Sequence, residues 1–155
     1  MVAEDETRRE KVQKLRVCVI GAGQMANRVH FPSLTSLEEV EVVAVCDIDD
    51  ARLGETARRW GIGRTFGNYR EMIEAVQPDA VYAIGQPQFM YDIWVWCLVQ
   101  GSNLYIEKPM GLTIHQARVL AHLAAEKGVV TQVSFQRRSS PLLRLAQGTT
   151  PKCRT

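Results

Sequence analysis

The chain has 155 residues, of which 46% are hydrophobic and 23% charged, and its net charge is +2. That is enough chain for one domain with a sizeable core, and the balance is that of a globular protein rather than a low-complexity one. So small a charge, with basic residues scattered and only Arg137 and Arg138 paired late in the chain, excludes a nucleic-acid surface, and no apolar run approaches the length of a membrane span.

Residues 1–14, MVAEDETRREKVQK, carry both signs of charge and lack the apolar segment of a secretory signal, so a flexible charged arm is expected there. Cys18, Cys46, Cys97 and Cys153 form no C-x-x-C pair and have no metal-ligand spacing. No metal site is expected. Cys18 and Cys46 fall in predicted buried strands, where a free cysteine acts as a small hydrophobe, and the expected setting is the reducing cytoplasm.

Leu15 to Ile20, LRVCVI, reads as a strand buried on both faces, and it runs straight into GAGQMA. Gly21, Gly23 and Ala26 stand at the spacing of the dinucleotide fingerprint G-x-G-x-x-G/A. The first glycine serves a tight turn, the second admits a pyrophosphate close to the backbone, and the third position keeps the helix near the strand. The N–H groups and dipole of the helix start would hold the phosphates. That helix is expected from about Gln24 to Val29, with a kink or break at Pro32. Phe31, Leu34 and Leu37 then return the chain to the core.

Val40 to Asp47 is a second buried strand, ending in an acid. Asp49 or Asp50 caps the next helix, which runs to Trp60 and stops at Gly61. A short strand over Arg64 to Phe66 and a helix over Tyr69 to Val76, halted before Pro78, follow. Asp79 to Ile84 is the next buried strand, closed by Gly85 and Pro87. A helix over Gln88 to Gln100 carries Trp94, Trp96 and Leu98, which are read as packing. The strand Asn103 to Ile106 leads directly into Glu107, Lys108 and Pro109. Thr113 caps a helix from Ile114 to Lys127 ended by Gly128, and Val129 to Phe135 is the last strand. Strands and helices alternate without a hairpin signal, which predicts an α/β fold: a doubly wound parallel sheet in three α/β/α layers over residues 15–138.

Asp47 lies 24 residues after Gly23, near the offset at which an acid meets the adenosine ribose. A carboxylate there accepts hydrogen bonds from the ribose hydroxyls and repels a 2′-phosphate, which favours NAD over NADP. Arg52 is close enough in sequence to pair with such a phosphate, which would favour NADP. Gly85 and Pro87 sit at the carboxyl end of a central strand, where open α/β sheets place their ligand crevice. Glu107 and Lys108 end the neighbouring strand. A partly desolvated lysine there can give a proton or a charge-assisted hydrogen bond to an oxygen undergoing hydride transfer, while Pro109, through a cis bond, would aim it inward. His30, at a helix end, is read as structural or capping, and His115 and His122 as solvated.

GAGQMA after a strand, CD at the end of the second, DAVYAIGQP, GSNLYIEKP and the later TQVSFQRRSSP together resemble the Gfo/Idh/MocA oxidoreductases over about Leu15 to Pro141. The resemblance implies a Rossmann domain binding NAD or NADP in enzymes that oxidise or reduce sugars, inositols and related polyols. It implies that Gly21, Gly23, Gln24 and Met25 form the pyrophosphate turn, that Asp47 holds the ribose and that Gly85 and Pro87 pack along the cofactor. Glu107 would lie near the nicotinamide, and Lys108 would be the catalytic or substrate-orienting lysine. Two departures stand out. Met90 occupies a position where many members carry a histidine, and it cannot hydrogen-bond a hydroxyl in the same way. Members also continue into a second α/β domain that forms the substrate wall and usually the oligomer interface. Residues 139–155 are read as its truncated start, with QGTTPKCRT from Gln147 lacking any apolar period. Dinucleotide binding with little or no turnover is therefore the expectation, and apolar surface near Val133 to Leu145 invites homo-oligomer formation.

Overall fold

The structure, a computed structural model, describes residues 13–143 and residue 145. The charged arm falls outside it over residues 1–12, as do Cys153 and most of the 139–155 tail. Strands β1 (Leu15–Ile20), β2 (Val40–Cys46), β3 (Thr65–Phe66), β4 (Ala80–Ala83), β5 (Leu104–Ile106) and β6 (Thr131–Val133) form one sheet in the order β3-β2-β1-β4-β5-β6. All neighbours are parallel. Parallel neighbours require crossovers, and the alternation of strands with helical segments in the sequence supplies them.

Alternate residues of each strand feed two separate layers of core. Cys18 and Ile20 of β1, Val81 and Ala83 of β4, and Leu104 and Ile106 of β5 pack beneath α3 (Tyr69–Val76), α4 (Pro87–Val99) and α5 (Ile114–Lys127). Val17, Val19 and Val45 point the other way, toward Phe31, Leu34 and α2 (Asp50–Trp60). The β1–β2 register shifts between Val17 and Cys18, so Val42 and Ala44 face successive β1 residues. Such a bulge is how one extra residue is absorbed without flipping the inward side chains. Trp94 is fully buried and its indole N–H donates to the Ala83 carbonyl at 3.4 Å, while Trp96 is partly buried against the same core. Both tryptophans are packing residues, as their position on the helix predicted.

The helix ends follow local chemistry. The Asp49 carboxylate accepts the Arg52 N–H at 3.0 Å and Thr113 accepts the Gln116 N–H at 3.1 Å. Gly61 and Gly128 close these two helices in the left-handed region, at φ 67° and 63°. Helix α3 ends at Val76, before Pro78, as expected. Gln77 itself adopts φ 48°, with its amide donating back to the Glu74 carbonyl at 3.2 Å, so the stop precedes Pro78 for a reason beyond the proline.

Two expectations need correction. The first helix does not break at Pro32. The chain is helical from Gln24, widens into a π turn over Ala26–His30, and continues as α1 (Phe31–Thr35). The Phe31 N–H donates to the Ala26 carbonyl, one residue further back than in an α-helix. Pro32 then sits in the first turn of α1, where its missing N–H is tolerated. The last strand is also shorter than Val129 to Phe135. It pairs only along β5, and Ser134 follows it with an N–H bond to the Ile106 carbonyl at 2.9 Å.

Among the described residues Cys18, Cys46 and Cys97 are free and buried. Burial pushes their thiols up from an ordinary 9.0, Cys18 to about 11 and both Cys46 and Cys97 to about 12. Because the unfolded thiols ionise first as pH rises, the stability tied to them is present in full below pH 9 and lost on the way to about 11–12. Thermal melts should therefore show a midpoint that falls as pH rises from 9 to 11. An aromatic disulfide reagent at pH 8 should modify Cys18, Cys46 and Cys97 only after denaturant is added, as judged by peptide mass mapping.

Candidate functional site

The crevice lies where the strand order reverses. β1 passes to β2 on one side and is flanked by β4 on the other, and the helices following β1 and β4 pack on opposite faces. At such a switch point the loops leaving the two strands diverge, which opens a cleft at their carboxyl ends. Here the cleft has a volume of about 850 Å³. It brings together all of the residues the sequence singled out: Gly21, Gly23, Gln24 and Met25 from the first turn, Asp47 and Arg52 after β2, Gly85 and Pro87 after β4, and Glu107 and Lys108 after β5.

The glycines have different reasons to be glycine. A Cβ on Gly21 would lie 1.9 Å from the Ile84 carbonyl oxygen, and its backbone has φ 98°. Gly21 is therefore demanded by the fold, which draws the ends of β1 and β4 together at this point. A Cβ on Gly23 would meet nothing within 4 Å. Neither packing nor backbone conformation requires a glycine there. The space it leaves belongs to the cleft, and that is the cradle expected for a group brought close to the backbone.

Asp47 is held from two sides. One carboxylate oxygen accepts the Ala22 N–H at 2.7 Å and the other accepts the Asp49 N–H at 3.0 Å, leaving the side chain 8% exposed. The acid thus braces the glycine turn and borders the cleft at once. Arg52 does not reach out as a free cation. Its guanidinium donates to Asp49 at 3.0 Å and stands 3.9 Å from Asp47. The Arg52 N–H, and then its guanidinium, hold the Asp49 carboxyl below the usual carboxylate range.

At the other end of the cleft Glu107 is buried and Lys108 exposed. The desolvation expected around the lysine is not supplied by the described residues, because no element covers its side of the cleft. The Lys108–Pro109 bond is cis. Glu107 turns inward, its Oε1 lying 2.7 Å from Nε2 of His30 and its Oε2 accepting the Lys108 N–H at 3.3 Å. Met90 is buried with its thioether over Gly85, where a Cβ would come within 2.7 Å of the Met90 sulfur. The floor of the cleft is apolar at that point, and a larger residue at Gly85 would have to displace the methionine side chain above it.

Sequence reasoning missed Ile48, Tyr69 and Phe89, which also border the cleft. Ile48 is 92% exposed and Phe89 73%, unusual for such large apolar groups. An isoleucine set among acids in CDIDD, and an aromatic in the first turn after GQP, were the available signals. His30 is likewise more than a helix-end residue, since it meets a side chain 77 positions away. His115 and His122 are exposed as expected, His122 lying 3.7 Å from Glu126.

Comparison with known proteins agrees with this geometry. The chain is 33% identical over 124 residues to D-glucoside 3-dehydrogenase of Escherichia coli, a match spanning 80% of this chain and 35% of that protein. Its fold superposes with a TM-score of 0.80 and 27% identity on myo-inositol 2-dehydrogenase from Lactobacillus plantarum, covering 88% of this chain and 40% of that one. A dehydrogenase from Chromobacterium violaceum, solved with NADH and UDP-GlcNAcA, superposes at 0.80 with 26% identity over 86% of this chain and 38% of its own. The chain thus spans about two fifths or less of the length of these relatives. The family model of oxidoreductases with an NAD-binding Rossmann fold, GFO_IDH_MocA, matches residues 15–135, and the chain belongs to that family.

Proposed function

We propose that residues 15–138 hold NAD, in preference to NADP, and serve as the dinucleotide-binding half of an oxidoreductase that acts on a sugar, inositol or related polyol. The observation that carries the reading is the pair of glycines in the first turn: Gly21 is explained by contact with Ile84, while Gly23 leaves space in the cleft that the protein itself does not use. In this reading the turn Gly21–Met25 receives the pyrophosphate on backbone N–H groups at the helix start. Asp47 accepts the adenosine ribose hydroxyls with the lone pairs its two backbone bonds leave. Ile48 and Tyr69 offer apolar surface for the adenine, and Gly85 and Pro87 flank the path to the nicotinamide. The bound nicotinamide supplies the hydride chemistry. Lys108 donates a hydrogen bond to the substrate oxygen that becomes, or ceases to be, a carbonyl.

Support for NAD comes from the charge around the ribose position. Asp47 borders the cleft with Asp49 and Asp50 next to it in sequence, and Arg52, the one guanidinium among the described residues bordering the cleft, is committed to Asp49. A 2′-phosphate would enter among like charges beside a guanidinium already paired with Asp49. The related proteins are dehydrogenases of sugar-like substrates, and the exposed Lys108 leaves the chain alone with a half-built reaction site. Hydride transfer needs a substrate held in near-attack geometry away from water, so the chain alone is read as a binder with little or no turnover.

Calorimetric titration should show NADH binding at least about tenfold tighter than NADPH, and Asp47→Asn, which keeps an acceptor for the Ala22 N–H, should narrow that gap. Equal affinities in the native chain would reject the preference, and failure to bind either would reject the whole reading. A second comparison separates the glycines. Gly21→Ala should lower the melting temperature by several degrees, since a destabilisation of about 2 kcal/mol or more is expected from strain and overlap. Gly23→Ala should leave the melting temperature within about 2 °C while weakening NADH at least about tenfold.

A further inference from the structure

The His30–Glu107 pair is the strongest feature left unabsorbed by cofactor binding. Both side chains are buried, 6% and 8% exposed, and they meet at 2.7 Å across 77 residues of sequence. Burying two such groups is unfavourable unless each satisfies the other, so the pair is retained against a desolvation cost. Neither belongs to a layer of the apolar core. His30 comes from the helical run that starts at the glycine turn, and Glu107 from the end of β5, immediately before Lys108.

A second, independent feature aims the histidine. The π turn over Ala26–His30 winds one extra residue into the helix just where His30 occurs. Such insertions cost backbone hydrogen-bond geometry and recur at functional sites, where they re-aim a side chain. The ring then lies edge-on to Tyr105, centroids 5.4 Å apart, and to Tyr82 at 6.3 Å, and those two tyrosines stack on each other at 4.4 Å. With the imidazole wedged against this stacked pair, one Glu107 oxygen is fixed on His30, while the other receives the backbone N–H of Lys108.

We infer that His30 is a positioning residue for Lys108, acting through Glu107 and tying the lysine turn to the helix of the dinucleotide turn. The inference rests on the proposed dinucleotide site. Removing the imidazole leaves Glu107 buried without its partner, frees it to reorient, and releases the backbone of Lys108. The damage falls on the nicotinamide half of the cleft, because Gly21–Met25 and Asp47 keep their own bonds.

The test compares NADH with ADP, which lacks the nicotinamide half, by calorimetry on the native chain, His30→Leu and His30→Gln. His30→Leu should weaken NADH about tenfold, the effect of losing a buried charge-assisted hydrogen bond, and leave ADP within about twofold. His30→Gln, whose amide N–H can reach the same carboxylate oxygen, should restore most of the loss. Equal weakening of both ligands, or none, would overturn the inference and leave the pair a packing device. A native chain that binds neither ligand would overturn the nucleotide reading, and this inference with it. A measurement on the native chain covers the case in which His30→Leu does not fold. With ring-labelled histidine, NADH should move the His30 resonances and ADP should not, with exposed His115 and His122 as internal references. A His30 signal indifferent to NADH would also overturn it.

Discussion

The close approach of Gly21 to the Ile84 carbonyl is the constraint on which the site depends. With room for no Cβ, the ends of β1 and β4 lie side by side, and the Ile84 N–H closes the contact by donating to the Ile20 carbonyl at 2.8 Å. The helices that follow these two strands pack on opposite faces of the sheet, and the cleft is the space between the departing loops. Every candidate ligand contact follows from that junction: the glycine turn from one strand, Gly85 and Pro87 from the other, and the flanking acids and lysine from the strands beside them.

Around this junction the loops are braced by side chains rather than by the sheet. Asp47 links the end of β2 to Ala22, and Glu107 links the end of β5 to His30. Both acids are nearly buried and both reach back to the segment that follows β1. The glycine turn and its helix therefore act as the hub, with one carboxylate fixing the β2 side of the cleft and another the lysine side. Groups so fixed do not have to be ordered when a ligand arrives, which is the physical benefit of arranging a binding site before it is filled.

Much of this was legible in the sequence because it rests on local patterns. The apolar strands, the caps at Asp49 and Thr113, the glycine stops at Gly61 and Gly128 and the placement of GAGQMA, Asp47, GQP and EKP at strand ends are properties of short windows. What escaped was non-local or compensatory. The π turn could not be read because Pro32 signals a break equally well whether the chain stops or widens upstream of it. The Gln77 stop depends on a side-chain bond to its own helix, and the His30–Glu107 contact joins positions 77 apart with no motif to announce it. Arg52 was ambiguous in sequence for a similar reason, since its partner is decided by the orientation of Asp49.

The central claim is that the cleft at the carboxyl ends of β1 and β4 takes a dinucleotide along its whole length. Hydrogen–deuterium exchange of the chain with and without saturating NADH tests it most directly. The account predicts added protection in the segments around Gly21–Met25, Asp47–Arg52, Gly85–Pro87 and Glu107–Lys108, and none at the amino-terminal ends of the strands around Gln77 and Asn103. Protection confined to those amino-terminal ends, or no change anywhere under conditions of measured binding, would contradict it.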